Sequence, residues 1–290
     1  MKKKILVLGS TGMLGHQVVN YFSKFEDYEV IDISFRTKFR DSTIILDVTN
    51  KAIVENSIIK IKPDFIVNCI GILIQGSKDV ANAIYINAYF PHQLKNIAQT
   101  INAKLVHIST DCVFSGDKGN YTELDEKDGQ DIYSKTKALG EVVDNKNVTL
   151  RTSIIGLELK ENGEGLFHWF MNQSGEINGF TKAIWSGVTT IELAKVIKWA
   201  IENNTTGLYH ITNNTSINKY ELLHLFKKYT KKDIQINKID GKEVDKSLID
   251  TRKEISYEIS SYEEMVKEML ALICNNKELY KQYFNGSMCE

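Results

Sequence analysis

Residues 9–15, Gly-Ser-Thr-Gly-Met-Leu-Gly, follow directly on the apolar run Ile5-Leu6-Val7-Leu8. A run without polar alternation fits a strand buried on both faces, as in a parallel sheet covered by helices. Beyond the loop, Met13, Leu14, Val18, Val19 and Phe22 recur at helical spacing. Gly9, Gly12 and Gly15 therefore occupy a strand-to-helix turn. Glycine there lets the chain leave the strand, lets backbone approach a pyrophosphate and lets the helix settle on the strand. Helix N–H groups then face the phosphates. The first gap is one residue longer than in G-x-G-x-x-G, and a plain turn is the competing reading. Its place between the first strand and a helix favours a dinucleotide cradle, with Gly9, Thr11, Gly12, Met13, Leu14 and Gly15 as cofactor-binding residues.

Strand and helix patterns then alternate. Glu29–Ile33, Thr43–Leu46, Phe65–Cys69 and Lys104–Ile108 read as strands, Ala52–Ile61 as a helix and Ala81–Thr100 as one long helix. Short connections between alternating elements predict an α/β fold, a doubly wound parallel sheet of the Rossmann type. After Ile155 the pattern loosens. Residues 156–187 are rich in glycine and polar side chains and hold an aromatic cluster at Phe167, Trp169, Phe170 and Trp185. A helix (Ile191–Asn203), a strand (Gly207–Ile211), a helix (Lys219–Tyr229) and an amphipathic stretch (Tyr262–Cys274) follow. The expectation is a dinucleotide-binding domain over residues 1–155 and a smaller, irregular C-terminal substrate lobe over 156–290. Part of that lobe, about 186–212, is expected to return to the Rossmann core.

Composition narrows the partners. The chain has 290 residues, 42% of them hydrophobic, with a formal net charge of -1. That balance argues against nucleic acid or an anionic membrane as partner. Lys2-Lys3-Lys4 resembles the start of a signal peptide, but the apolar run after it ends at Gly9, too soon for an h-region. No later stretch approaches the ~20 apolar residues of a membrane span. Cys69, Cys112, Cys274 and Cys289 lack metal-ligand spacing, so no metal is expected, and they read as reduced thiols of a cytoplasmic protein.

Tyr133-Ser134-Lys135-Thr136-Lys137 sets a phenol and an ammonium one helical turn apart. With 13 tyrosines in a lysine-rich chain, the spacing alone carries little information. The location carries more, because the pair opens a helix shortly after a strand ending in Ser109-Thr110-Asp111. That is the carboxyl edge, where open α/β sheets bind ligands. A nearby ammonium favours phenolate and is expected to draw the tyrosine down from its reference of about 10. Such a tyrosine can protonate a carbonyl oxygen as hydride reaches its carbon, while the Thr110 hydroxyl fixes that oxygen. The second strand bears on the choice of dinucleotide. An Asp or Glu at its end binds both ribose hydroxyls of NAD, whereas Ser34 and Arg36 suit a 2′-phosphate. NADP(H) is therefore expected over NAD(H), and Asp32 becomes the ribose ligand only if the register is off by two residues.

The glycine loop, the Ser-Thr-Asp turn and Tyr-x-x-x-Lys together resemble the extended short-chain dehydrogenase/reductases. Within them the chain is similar to the sugar-nucleotide reductases of the dTDP-4-dehydrorhamnose reductase family. The similarity continues through residues 46–49, 68–71, 87–91, 109–114, 151–153, 207–210 and 247–251. It implies a catalytic trio of Thr110, Tyr133 and Lys137, with Gly9, Gly12 and Gly15 at the pyrophosphate and Asp47 and Val48 near the adenine. It also implies cofactor contacts from Cys69, Ile70 and Gly71 and substrate contacts from Asp111, Cys112, Val113, Phe114, His168 and Trp185. The implied activity is NADPH-dependent reduction of a nucleotide-linked 4-keto-6-deoxy sugar for surface polysaccharide, by a chain whose protein partner, if any, is a second copy. Two departures stand out: Cys112 where the family has tyrosine, and Gly187-Val188-Thr189-Thr190 where it has a proline. A cysteine two residues after the catalytic hydroxyl also occurs in GDP-fucose synthase, so an epimerase-reductase using Cys112 with a histidine such as His168 is one alternative. A non-catalytic NAD(P)-binding regulatory protein is the other.

Overall fold

A computed structural model of the chain describes residues 2–252, 256–284 and 286–289. Two compact units emerge. The first comprises Met1–Phe114, Glu126–Arg151 and Ala194–Tyr209, and the second Ser115–Asp125, Thr152–Leu193 and His210–Glu290.

The first unit is built on a seven-stranded sheet. In chain order its elements are β1 (Lys3–Leu8), α1 (Gly15–Phe22), β2 (Tyr28–Ser34), β3 (Ile44–Ile45), α2 (Lys51–Ile61), β4 (Phe65–Asn68), α3 (Val80–Ala83), α4 (Phe90–Thr100), β5 (Lys104–Thr110), α5 (Ile132–Leu139) and β6 (Val148–Thr152). The strand Gly207–His210 completes the sheet. Across the sheet the order is Gly207–His210, β6, β5, β4, β1, β2, β3, and the pairings among β1–β5 are parallel. This is the expected Rossmann-type doubly wound sheet. Strand order reverses between β1 and β4, which opens a crevice at their carboxyl ends. Ile5, Leu6 and Val7 have no exposed surface, as a strand covered on both faces requires. On one side of the sheet Leu6, Leu8, Ile66 and Leu105 meet Phe90 and Leu94, all essentially water-free. Each such side chain contributes roughly 1.5–3 kcal/mol by leaving water.

The long helix expected over residues 81–100 is interrupted. Between α3 and α4 lies a π-helical stretch, Ile84–Tyr89. The Asn87 side chain explains it: Oδ1 accepts from Ile72 N at 2.8 Å and Nδ2 donates to Ile72 O at 2.9 Å. The wider turn carries Asn87 onto the loop after β4, a use of π-helix that recurs at functional sites.

The second unit is irregular, with short paired strands and, among the described residues, helices at Leu166–Met171, Lys219–Thr230 and Tyr262–Asn275. Gly175–Phe180 runs parallel to Ile234–Ile239, and Ala183–Trp185 lies between Ile217–Asn218 and Val244–Asp245. Helices Lys219–Thr230 and Tyr262–Asn275 each open with a capping box, Asn218/Glu221 and Ser261/Glu264. Phe167, Phe170, Phe226 and Tyr283 form its aromatic core. One expectation is corrected here. Cys274 and Cys289, read as reduced thiols, are joined in a disulfide across 15 residues, while Cys69 and Cys112 are not disulfide-bonded. The chain turns back after the helix ending at Asn275, and that return brings the two sulfurs together although neither has a cysteine near it in sequence. Among the described residues no helix is long and apolar enough to cross a membrane, and no group of three or more His, Cys, Asp or Glu could hold a metal ion.

Candidate active site

The glycine loop sits at the carboxyl end of β1. Gly9 has φ +87°, and its amide donates to Ile33 O at 2.8 Å. A Cβ at Gly15 would lie 2.0 Å from Gly9 O, so only glycine lets α1 start this close to the strand. No side chain caps α1 at Leu14, and among the described residues none accepts from the amides of Thr11, Met13 or Leu14. These donors at a helix start, above a turn that a side chain would fill, fit a pyrophosphate. His16 steadies the loop from beneath. Burial pulls its imidazole down to about 4, so it is neutral at physiological pH. Nδ1 then donates to Gly12 O at 2.8 Å while Nε2 faces Gln17 Nε2 at 3.1 Å. Across the crevice, Cys69 N donates to Leu8 O, and a Cβ at Gly9 would sit 3.0 Å from Ile70 Cγ1. The Cys69-Ile70-Gly71 turn thus borders the glycine loop. Burial pushes the Cys69 thiol up to about 12, leaving it unreactive.

At the end of β2, Asp32 is buried and fully engaged. It accepts from Arg40 Nε at 2.6 Å and from Thr43 Oγ1 at 2.7 Å. Ser34 is the last residue of the strand, with its hydroxyl on Thr37 O at 2.5 Å. Arg36 lies beyond it, exposed, its guanidinium over the Phe35 ring. After β3, Asp47 lines an open cavity of about 680 Å³ together with Leu46, Thr49, Asn50 and Ile53. Val48 is buried beside it, its carbonyl accepting from Tyr85 Oη at 3.2 Å.

Thr110 ends β5, and Tyr133 and Lys137 lie on α5, whose N-cap Asp131 accepts from Ser134 N. All three are buried, and the Thr110 hydroxyl is among the groups that act on the Tyr133 phenol. Thr110 Oγ1 also donates to Asp111 Oδ1 at 2.9 Å and accepts from Cys112 N at 3.1 Å. Lys137 Nζ donates to Ile108 O at 2.8 Å. The electrostatics correct the expected tuning. Burial, reinforced by Cys112 and Asp111, pushes the Tyr133 phenol well above its ordinary value, and the Thr110 hydrogen bond only partly opposes it. Burial also pulls Lys137 down to about 8, against the pull of Glu141. Desolvation is the largest cause of both shifts, so the phenol keeps its proton.

Of the remaining candidates, Asp111 and Cys112 lie in the 3₁₀ turn after Thr110. Val113 and Phe114 are packing residues, with Phe114 under the Arg151 guanidinium at 5.0 Å. His168 and Trp185 belong to the second unit, where both are buried. His168 Nδ1 meets Tyr283 Oη at 2.7 Å, and Trp185 Nε1 donates to Ser153 Oγ at 2.8 Å. Two residues escaped sequence reasoning. Asn87 links the loop after β4 to α5 through Thr136 Oγ1 at 3.3 Å. Glu141, just past α5, is paired with Arg151. Polar residues within apolar segments were the only signal for either.

The chain matches the RmlD substrate binding domain family over residues 2–271. It belongs to that family. A dTDP-4-dehydrorhamnose reductase of Aggregatibacter actinomycetemcomitans is 28% identical over 234 residues, 75% of this chain and 76% of the relative. The methionine adenosyltransferase 2 subunit beta of Rattus norvegicus is 26% identical, over 76% of this chain and 70% of its own. Among solved structures, the dTDP-4-dehydrorhamnose reductase of Bacillus anthracis in complex with NADP superposes with a TM-score of 0.80 at 25% identity, covering 93% of this chain and 99% of that one. The family and the fold make this chain an extended short-chain dehydrogenase/reductase, an oxidoreductase class served by pyridine nucleotides.

Proposed function

We propose that the protein reduces a nucleotide-linked 4-keto-6-deoxy sugar with NADPH, in the cytoplasm, as a step in making surface polysaccharide. The observation that carries this reading is the trio itself: a buried, protonated phenol on the helix that follows the strand ending in Thr110, at the sheet edge that also bears the glycine loop. Gly9 to Gly15 would hold the pyrophosphate, Ser34 and Arg36 the 2′-phosphate, and Asp47 and Val48 the adenine side. A bound nicotinamide nucleotide supplies the hydride. Thr110 orients the keto oxygen, and Tyr133 Oη gives it a proton as the carbon is reduced. Lys137, held by Ile108 O, provides the positive charge that stabilises the phenolate left behind.

One relative is named as a methionine adenosyltransferase subunit rather than as a reductase, so the non-catalytic reading is kept as the second one. A protein that only binds the dinucleotide has no use for a proton donor, and the intact trio favours catalysis. The deciding experiment follows NADPH oxidation against dTDP-, UDP- and GDP-linked 4-keto sugars, with NMR of each product made in deuterated water. Turnover on the order of 1 per second or more is expected with at least one of them. None with any sugar, alongside tight cofactor binding, would overturn the reading in favour of regulation. No deuterium is expected beside the reduced carbon, because His168, the named partner for Cys112, is committed to Tyr283. Deuterium there, lost in Cys112→Ser, would establish the epimerase-reductase instead.

A further inference from the structure

Glu141 stands four residues past Lys137, and its carboxylate is almost completely buried. Both oxygens are used. Oε1 accepts from Ser109 Oγ at 2.6 Å and Arg151 Nε at 2.7 Å; Oε2 accepts from Arg151 Nη2 at 2.7 Å and Lys127 Nζ at 3.0 Å. Ser109 lies between Ile108, whose carbonyl holds Lys137 Nζ, and Thr110. One carboxylate therefore ties the strand end that offers Thr110 to the chain just beyond the helix that offers Tyr133 and Lys137.

We infer that Glu141 is the positioning residue of the trio, fixing Thr110 through Ser109 and setting a buried negative charge on the segment that follows Lys137. The inference rests on the function proposed above. Fold stability alone does not account for this arrangement, because a buried Arg–Glu pair can be replaced by apolar side chains without loss. The bond to Ser109 and the balance of charge are what an apolar pair could not supply. Around Lys137 the charged and titratable neighbours are Tyr133 one turn earlier on α5, Glu141 on its own segment and His107 on β5, the last kept neutral by burial. Glu141 is in turn faced by Arg151 from β6 and Lys127 from the preceding loop. Tyr133 has Cys112, Asp111 and Asp131 around it. Glu141 is thus the only carboxylate acting on Lys137 among the described residues, and neutralising it removes the one charge that opposes the effect of burial on that ammonium. Burial already draws Lys137 down to about 8, so a further fall would take it through working pH.

The test follows the ε-carbon of Lys137 by NMR in lysine-¹³C-labelled protein, assigned by its loss in Lys137→Met, together with kcat and KM against pH. In Glu141→Gln, the titration of Lys137 is expected to fall by about one pH unit or more, and the alkaline limb of kcat/KM with it. Glu141→Asp, which keeps the charge, should restore both. Ser109→Ala cuts only the tie to the strand: kcat should drop about tenfold with KM unchanged, and Lys137 should titrate as in wild type. An unmoved Lys137 titration in Glu141→Gln overturns the inference whether or not the wild type reduces any sugar, so it can fail separately from the proposed function. Ser109→Ala strands no charge and carries the test if Glu141→Gln does not fold; wild-type kcat in it overturns the inference.

Discussion

Tyr133 and Lys137 are shifted in opposite directions by the same cause. Burial disfavours charge on either side chain, raising the phenol and lowering the ammonium, so Tyr133 holds its proton. The pair itself is legible in sequence because helical periodicity is local. Its desolvation is not, since the residues that bury it come from other elements. Tyr133→Phe should reduce turnover by at least about a thousandfold with cofactor affinity nearly unchanged, read by steady-state kinetics and fluorescence titration. The dinucleotide choice also lies at this scale. Asp32 is committed to Arg40 and Thr43, so it is not free to take a ribose. The wild type should therefore favour NADPH, and Arg36→Ala should cut that preference at least about tenfold, some 1.4 kcal/mol. Equal use of NADH by the wild type would assign the ribose to Asp32 after all.

The element that matters most is the turn from β1 into α1. Its glycine spacing was readable because each glycine answers a local backbone need. Gly15→Ala would drive a Cβ into Gly9 O, and it should destabilise the protein by about 3 kcal/mol or more in chemical denaturation. His16 under the same turn makes it acid-sensitive. Its folded value of about 4 lies below the unfolded 6.5, so the unfolded chain binds more protons between them. Stability from this group is complete above about pH 6.5 and is lost as pH falls towards 4, by about 3 kcal/mol in total. His16→Gln should flatten the stability profile across that window, with His107, also buried neutral, accounting for what slope remains. A slope equal to wild type would show that His16 is protonated in the native state. The π-helical stretch was beyond sequence reading for a physical reason: it answers Ile72, 15 residues upstream of Asn87. A helical period sees three or four residues, not a loop from another strand.

For the whole molecule, the alternation of strands and helices made the first unit legible, while the second offered few periodic segments. Its most concrete surprise is the Cys274–Cys289 disulfide. Alkylation of the denatured protein should block two thiols, Cys69 and Cys112, without reductant, and four after reduction, as read by mass spectrometry. Reduction should cost the C-terminal region about 3 kcal/mol, the loop-closure value for 15 residues. Four accessible thiols in protein taken directly from cytoplasm would show that the bond forms only on exposure to oxidant.

The first unit is assembled from three separated lengths of chain, and its outermost strand is Gly207–His210. Synthesis runs in one direction, at roughly 5–20 residues per second. Both strands beside the β1–β4 crevice and residues Thr110, Tyr133 and Lys137 are translated by residue 137; β6 is complete at Thr152, yet its edge stays open until the strand that begins at Gly207, about 55 residues later (207 minus 152). For several seconds a nascent chain carries the proposed active-site edge on an unfinished sheet. During that interval the exposed border of β6 is the place where a chaperone, or another nascent copy, would find the chain unguarded.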